Sequence, residues 1–418
     1  MEKEIKAKQP AVLVAIAEDT SEVKAVEQSL AELSRLLDTA GGETFATVIQ
    51  TKCKMDPKTC IGSGKAQEIK ALCKENDIHL AVFDFELSPS QIRNLEDVFE
   101  DVDVIDRSML ILDIFALHAT SAEGKLQVEL AQLKYTAPRL VGKGIALSRQ
   151  EGRIGTRGPG ESKLETDRRH LKERLYALEK QLKELEQKRL VMRASRDKSG
   201  IPKVGIVGYT NAGKSTLLNA LTNAGVLSED KLFATLDATT RRMTLPNGEN
   251  ILLTDTVGFI RKLPHHLIRA FKSTLDEVAY SDILLVVADA GDPELDEHLA
   301  VTRELISELG AGEKPIICVY NKCDMLERWP ESNLESPNSV FVSAATGKGL
   351  DSFSKTLEKV IAENKKVAEL LIPYAEQSKL SQLYAVAQIL SVEYQDDGIA
   401  VSARMDTKVA GQYAKYKR

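Results

Sequence analysis

At 418 residues the chain is longer than one ordinary hydrophobic core serves, so two or three domains are expected. A hydrophobic share of 43% and a charged share of 28% fit a globular protein, and apolar runs such as 283–288 are too short to cross a bilayer. The formal net charge of -6 is unevenly spread: residues 134–200 hold eighteen Lys and Arg against nine Asp and Glu, leaving that stretch at +9 and the remainder at -15. The first residues lack the apolar centre of a secretory signal and mix acids with bases, which argues against a transit peptide and for the cytosol. Five cysteines form neither a paired framework nor a CxxC knuckle, which suits reduced thiols without assigned chemistry.

Residues 1–120 alternate short apolar strands (12–17, 44–49, 80–85, 102–105) with amphipathic helical stretches, the pattern of a small α/β domain with a mainly parallel sheet. Ser88-Pro89-Ser90 reads as a helix start. Gly62-Ser63-Gly64-Lys65 is a fragment of a phosphate loop only, and reads better as another helix-starting turn. Residues 121–198 turn helical. Leu171, Leu175, Leu178, Leu182 and Leu185 form one seam, facing Leu126, Leu130 and Leu133 in an antiparallel helical hairpin. An intermolecular coiled coil is the alternative, but the seam is short for one. Between the two helices the glycines of 141–160 are expected to prevent regular structure, giving a basic Gly- and Arg-rich tip. Residues 199–364 alternate strands and helices as a doubly wound domain, and 365–418 read as one helix and a hairpin around Asp396-Asp397-Gly398 in a small α+β segment.

Strand 203–207 runs into Gly208-Tyr209-Thr210-Asn211-Ala212-Gly213-Lys214-Ser215, and a helix opens at Thr216. This is GxxxxGK[ST] in its strand, loop and helix setting. Backbone N–H groups of such a loop wrap phosphates, Lys214 would neutralise the outer ones, and Ser215 would offer a hydroxyl to Mg²⁺. The choice of base rests on Asn321-Lys322-Cys323-Asp324, which resembles the NKxD element of GTPases. A carboxylate there accepts two hydrogen bonds from guanine, whereas adenine would leave a buried Asp324 unpaired. Asp255-Thr256-Val257-Gly258 resembles the DxxG element, its acid reaching Mg²⁺ through water and its glycine amide meeting the γ-phosphate. Ser343-Ala344-Ala345 resembles the loop whose backbone meets the guanine O6. For the nucleotide-sensing switch, Phe233 and Thr235 are chosen, with Thr235 as a second Mg²⁺ ligand; Thr239 and Thr240 compete, and a turn-capping threonine is the plain alternative.

The residue after DxxG in many GTPases is a water-orienting glutamine, and here it is Phe259. The catalytic residue is therefore unknown, and slow intrinsic hydrolysis is expected unless a partner or a monovalent cation helps. Asn211 matches the asparagine that coordinates K⁺ in some GTPases lacking that glutamine; an asparagine that merely stabilises the loop is the other reading.

The basic tip reads either as a probe for RNA phosphates or as a solvated linker. Gly155-Thr156-Arg157-Gly158-Pro159-Gly160-Glu161-Ser162-Lys163-Leu164-Glu165-Thr166-Asp167-Arg168-Arg169, with the switch at 233–241 and Asp255-Thr256-Val257-Gly258-Phe259-Ile260, resembles the HflX family of ribosome-associated GTPases, in the Obg-HflX group. The resemblance covers nearly the whole chain, though the C-terminal segment is shorter than in long members. It implies a Mg²⁺-dependent GTPase, stimulated by the ribosome, that binds the large (50S) subunit and its rRNA and splits or rescues stalled or idle ribosomes under stress. It also implies a monomer with no DNA partner in the cytoplasm, peripheral association with a membrane being left open. The competing reading is a GTP-dependent protein-interaction or signalling switch; an RNA-remodelling ATPase is a third class.

Overall fold

Residues 11–15 are buried on both faces, which an apolar run without alternation dictates for a central parallel strand. The computed structural model describes residues 8–418 apart from 53, 151–158, 198–199, 223–231, 234–236, 263, 265–266, 269–270, 331–337 and 406. Two units emerge. The first comprises Met1–Leu185, Glu229–Asp237 and Arg261–Lys272, and the second Glu186–Ser228, Ala238–Ile260 and Ser273–Arg418.

In the first unit, β1 (Gln9–Ala17), β2 (Gly42–Thr51), β3 (Leu80–Phe83) and β4 (Asp103–Asp106) form an all-parallel sheet in the order β2-β1-β3-β4. It packs among α1 (Val23–Thr39), α2 (Ser63–Glu75), α3 (Pro89–Phe99) and α4 (Arg107–His118). Ser88 caps α3 in a full capping box with Gln91. Gly62 stands extended before α2, so the Gly62 to Lys65 fragment is a helix start. Asp106 accepts the Met109 and Leu87 amides, which caps α4 and pins the chain before α3.

Then follow α5 (Ala122–Gln150) and α6 (Pro159–Asp197). Val128 and Ala131 bury α5 against α3 and α4, and Glu129–Arg174 and Lys134–Glu179 ion pairs tie it to α6, as a helical hairpin requires. Leu178 of the leucine seam is fully buried. The expected irregular stretch 141–160 is corrected: α5 continues through Gly142 and Gly144 to Gln150. A helical glycine costs about 1 kcal/mol, too little to end a helix that long, and Pro159 occupies a first-turn position where proline is tolerated. Residues 151–158 of the tip lie outside the described residues.

In the second unit β5 (Lys203–Gly208), β6 (Thr239–Thr244), β7 (Asn250–Asp255), β8 (Ile283–Asp289), β9 (Ile316–Asn321) and β10 (Ser339–Phe341) order as β10-β9-β8-β5-β7-β6. All neighbours are parallel except the β6/β7 pair. This is the doubly wound sheet expected, with α7 (Lys214–Thr222), α8 (Lys272–Tyr280), α9 (Leu295–Glu308) and α10 (Leu350–Asn364) around it. Arg193 of α6 bonds Glu277 at 2.6 Å and covers the Tyr280 ring. The tail holds more than a helix and a hairpin. β11 (Lys366–Ile372) adds a strand, making an antiparallel β11-β13-β12 sheet with β12 (Gln388–Gln395) and β13 (Gly398–Met405). Leu370, Ile372, Ile399 and Val401 bury one face of it with Leu383 of α11 (Ser378–Val386), which gives the segment its own core. Lys365-Lys366 at the start of β11 obscures that alternation in the sequence.

Candidate functional site

The phosphate loop leaves the C-terminal end of the central strand β5, where a doubly wound sheet opens its crevice. Gly208 lies so close to Val287 that a Cβ would stand 2.1 Å from its carbonyl oxygen, and Gly213, at φ +88°, would drive one to 2.2 Å from Asn321 Nδ2. Only glycine fits either place. Asn211 adopts the left-handed region at φ 62°. Tyr209 stacks on the buried His298 ring, 3.7 Å between centroids, and His298 sits between Asp292 and Glu294. Sequence reasoning missed that support, since no motif announces His298.

Lys214 is buried and donates to the Tyr209 carbonyl at 2.9 Å. Burial pulls its pKa down to about 8, partly offset by Asp255. Such a cation is poised for an anionic partner. Ser215 Oγ donates to Asp255 Oδ2 at 2.6 Å, while Asp255 Oδ1 is buried without a hydrogen-bond partner among the described residues. Burial raises the Asp255 pKa against the opposing pull of Lys214 and Ser215. One hydroxyl and one half-satisfied carboxylate are oxygen donors that suit a hard divalent cation completed by phosphate and water. A Cβ on Gly258 would meet Thr210 Cγ2 at 2.7 Å and Lys214 Nζ at 2.9 Å, so DxxG closes directly over the loop.

Asn321 does more than mark the NKxD element. Its Nδ2 donates to Ala212 O at 3.0 Å and its Oδ1 accepts the Ala344 amide at 2.9 Å, stitching the phosphate loop to the Ser343-Ala344-Ala345 loop. Lys322, left-handed at φ 62°, pairs with Asp289 at 2.9 Å. Ser343 is buried, and its Oγ accepts the Thr346 amide, which holds that loop's turn. Asp324, expected as a buried carboxylate, is exposed on the single turn Cys323–Met325; adenine is therefore disfavoured only to the extent that a bound base covers it.

Phe259 is 1% exposed. Its amide donates to Gly208 O and its carbonyl accepts the Thr210 amide at 2.8 Å, so the backbone serves the phosphate loop while the ring fills the core. A side chain turned inward cannot orient water. Thr235 lies outside the described residues; Thr239 and Thr240 stand in β6, where Thr240 bonds Thr254. Phe233 is buried in the first unit, edge-on to Phe115. Thr216 is the third residue of α7, beside Ser215, because the helix opens at Lys214 and not at Thr216.

Three family models match in tandem: GTP-binding GTPase N-terminal over residues 27–116, GTP-binding GTPase Middle Region over 118–196, and 50S ribosome-binding GTPase over 203–322. GTPase HflX of Lacrimispora saccharolytica is 48% identical over 96% of this chain and 95% of its own length. The chain belongs to the HflX family of GTPases. GTPase HflX of Escherichia coli is 42% identical over 90% of each chain. A GTP-binding protein of Sulfolobus solfataricus, solved with GDP, is 27% identical over 85% of this chain and 99% of its own, at a TM-score of 0.44. As an HflX GTPase the protein hydrolyses GTP.

A pH dependence of binding follows from Lys214. With its pKa lowered to about 8, the Lys214 ammonium loses its proton progressively between pH 7 and 9, and phosphates bound against it would draw that proton back. Raising the pH from 7 to 9 should weaken GTP about tenfold, with proton uptake increasing across the range. Calorimetry in buffers of differing ionisation enthalpy measures this. No uptake at pH 9 would mean that Lys214 keeps its proton in the free protein.

Proposed function

We propose that this HflX GTPase binds the large ribosomal subunit in its GTP form, separates or rescues stalled or idle ribosomes, and leaves after hydrolysis. The reading is carried by one observation: beside the phosphate loop, the position after DxxG is a buried phenylalanine whose backbone bonds Gly208 and Thr210. An enzyme so built has no water-orienting side chain there and depends on help from outside. The match to a 50S ribosome-binding GTPase model and the +9 charge of residues 134–200 support a ribosomal source of that help.

In this reading the amides of residues 208–216 and Lys214 hold the phosphates. Asp324 reads guanine, with Asn321 and Lys322 fixing its loop, and the backbone of residues 343–345 faces the base. Ser215 and Thr235 hold Mg²⁺ directly, Asp255 holds it through water, and Gly258 offers its amide to the γ-phosphate. The bound ion would neutralise charge on the outer phosphates. Asn211 contributes to a K⁺ site. The protein acts as a monomer in the cytoplasm; among the described residues no helix is long and apolar enough to cross a membrane.

Turnover measured with and without purified 50S subunits, in K⁺ and in Na⁺, tests the proposal. Large subunits should raise turnover at least tenfold, since one partner-supplied catalytic group is worth that much or more. Absence of stimulation would favour the protein-interaction switch. Equal rates in the two salts would remove Asn211 from cation binding. Conversion of 70S particles to subunits on sucrose gradients, with a non-hydrolysable GTP analogue, tests splitting itself.

A further inference from the structure

Phosphoryl transfer is helped most by polar groups already aimed at the charge that moves, and the Phe259 side chain offers none. Next to it in the second unit stands a hydroxyl without a partner. Thr210 is 6% exposed, and its Oγ1 is buried with no hydrogen bond among the described residues. A hydroxyl shut away from water almost always finds a donor or an acceptor, and one that does not destabilises the ligand-free protein. The residue is held firmly in place. Its amide donates to the Phe259 carbonyl at 2.8 Å, and the preceding Tyr209 ring is stacked on His298. The side chain borders both groups that the proposed pocket turns toward the terminal phosphate: a Cβ on Gly258 would meet Thr210 Cγ2 at 2.7 Å and Lys214 Nζ at 2.9 Å. Asp255 Oδ1, also buried without a hydrogen-bond partner among the described residues, finds its partner in that pocket as the water on Mg²⁺. Thr210 Oγ1 has no such assignment.

We infer that the Thr210 hydroxyl is a catalytic residue for GTP hydrolysis, donating a hydrogen bond to an oxygen of the γ-phosphoryl group. The inference rests on the proposed pocket, in which Gly258 and Lys214 face that group, and not on the ribosomal partner. In the reaction a water oxygen bonds to the γ-phosphorus while the bond to the β–γ bridging oxygen breaks and leaves its electron pair on GDP; the proton lost by the water ends on the released phosphate. Thr210 neither gives up nor takes a proton. Its O–H is already out of water and fixed by the loop, so it meets the phosphoryl oxygen without first shedding solvent. GDP carries no such oxygen, which confines the contact to the triphosphate and its transition state. The hydroxyl supplies charge stabilisation only, and a partner is still required to orient the attacking water.

Thr210→Val is the discriminating variant, because it keeps the branched shape and removes only the hydroxyl. An apolar group of the same shape in place of a buried, unpaired hydroxyl should leave the unfolding temperature at or above that of the parent. GDP affinity should stay within about twofold. Single-turnover GTP hydrolysis by the full chain, with protein in saturating excess, should slow about tenfold or more in Thr210→Val, and Thr210→Ser should keep at least about a third of the parent rate. A hydroxyl that merely shapes the loop would act on the unfolding temperature and on GDP affinity instead. A Thr210→Val rate within about twofold of the parent overturns the inference, as does a Thr210→Ser rate as low as that of Thr210→Val, or GDP weakened in step with the rate. If Thr210→Val does not fold, Thr210→Ala removes the same hydroxyl and is read in the same way. Lys214→Ala separates the two levels of the argument. Parent-like GTP binding in that variant refutes the pocket and the inference with it, whereas loss of binding there beside an unchanged rate in Thr210→Val overturns the inference alone.

Discussion

A protein carrying Asp324→Asn should bind GTP about a hundredfold more weakly and bind xanthosine triphosphate better than the parent does, since charge-assisted hydrogen bonds contribute about 1.5–3 kcal/mol each set. In the proposed pairing the carboxylate would accept from two guanine donors, whereas the amide would present N–H to one of them and an acceptor to the other. Xanthine, with a carbonyl where guanine has its amine, matches the asparagine. Asp324 is exposed on its single turn, so the change should leave the fold intact. Asn321, by contrast, holds two loops together, and replacing it would confound base recognition with collapse of the pocket. Competition of GTP, xanthosine triphosphate and ATP against a fluorescent nucleotide measures the shift. An unchanged order of preference would remove Asp324 from base recognition.

The second large effect lies in the first unit. Arg107 is 2% exposed and bonds Asp84 and Glu32, each at 2.7 Å, and the Arg261 carbonyl at 3.2 Å. Lys262 reaches the other oxygen of Asp84 at 2.8 Å and Ser29 at 3.0 Å. Burial works against the Arg107 charge, but Glu32 and Asp84 outweigh it and hold its pKa above the ordinary value. Arg107→Met would take the guanidinium from both Glu32 and Asp84, leaving Asp84 with Lys262 and the Ser29 hydroxyl. Breaking a buried pair on one side costs about 3–5 kcal/mol. Hydrogen exchange of the β1 and β3 amides should therefore quicken by about two to four orders of magnitude at sites that open by unfolding of this unit. Arg107→Lys should rescue little, because one ammonium cannot span both carboxylates with a planar fork. Exchange unchanged in Arg107→Met would show that the network contributes no stability.

The nucleotide pocket was legible because its chemistry is local. Glycines at fixed offsets, one lysine and one hydroxyl must follow a strand and precede a helix, and the chain writes that order from Gly208 to Thr216. The sheets were legible for a related reason: buried parallel strands show as apolar runs, as in residues 11–15 and 283–288. What escaped depends on distant partners. Asn321 reads as a motif letter, yet its amide bridges two loops, and His298 supports Tyr209 from almost ninety residues away. Arg107, Glu32 and Asp84 are three unremarked charges until β3, α1 and α4 bring them together. Phe259 was recognised as a missing glutamine, but only the pairing of its backbone with Gly208 and Thr210 shows why its ring turns inward. In the same way, residues 229–237 and 261–272 lie in sequence among nucleotide motifs and cluster in space with the first unit.

The proposed function requires that GTP make this protein a ligand of the large ribosomal subunit. Sedimentation of the full chain with purified 50S particles, in a non-hydrolysable GTP analogue and in GDP, measures it directly. Near-stoichiometric recovery with the analogue and about tenfold less with GDP is the expected result, a difference of about 1.4 kcal/mol in binding. Equal recovery in the two nucleotides, or none in either, would contradict it.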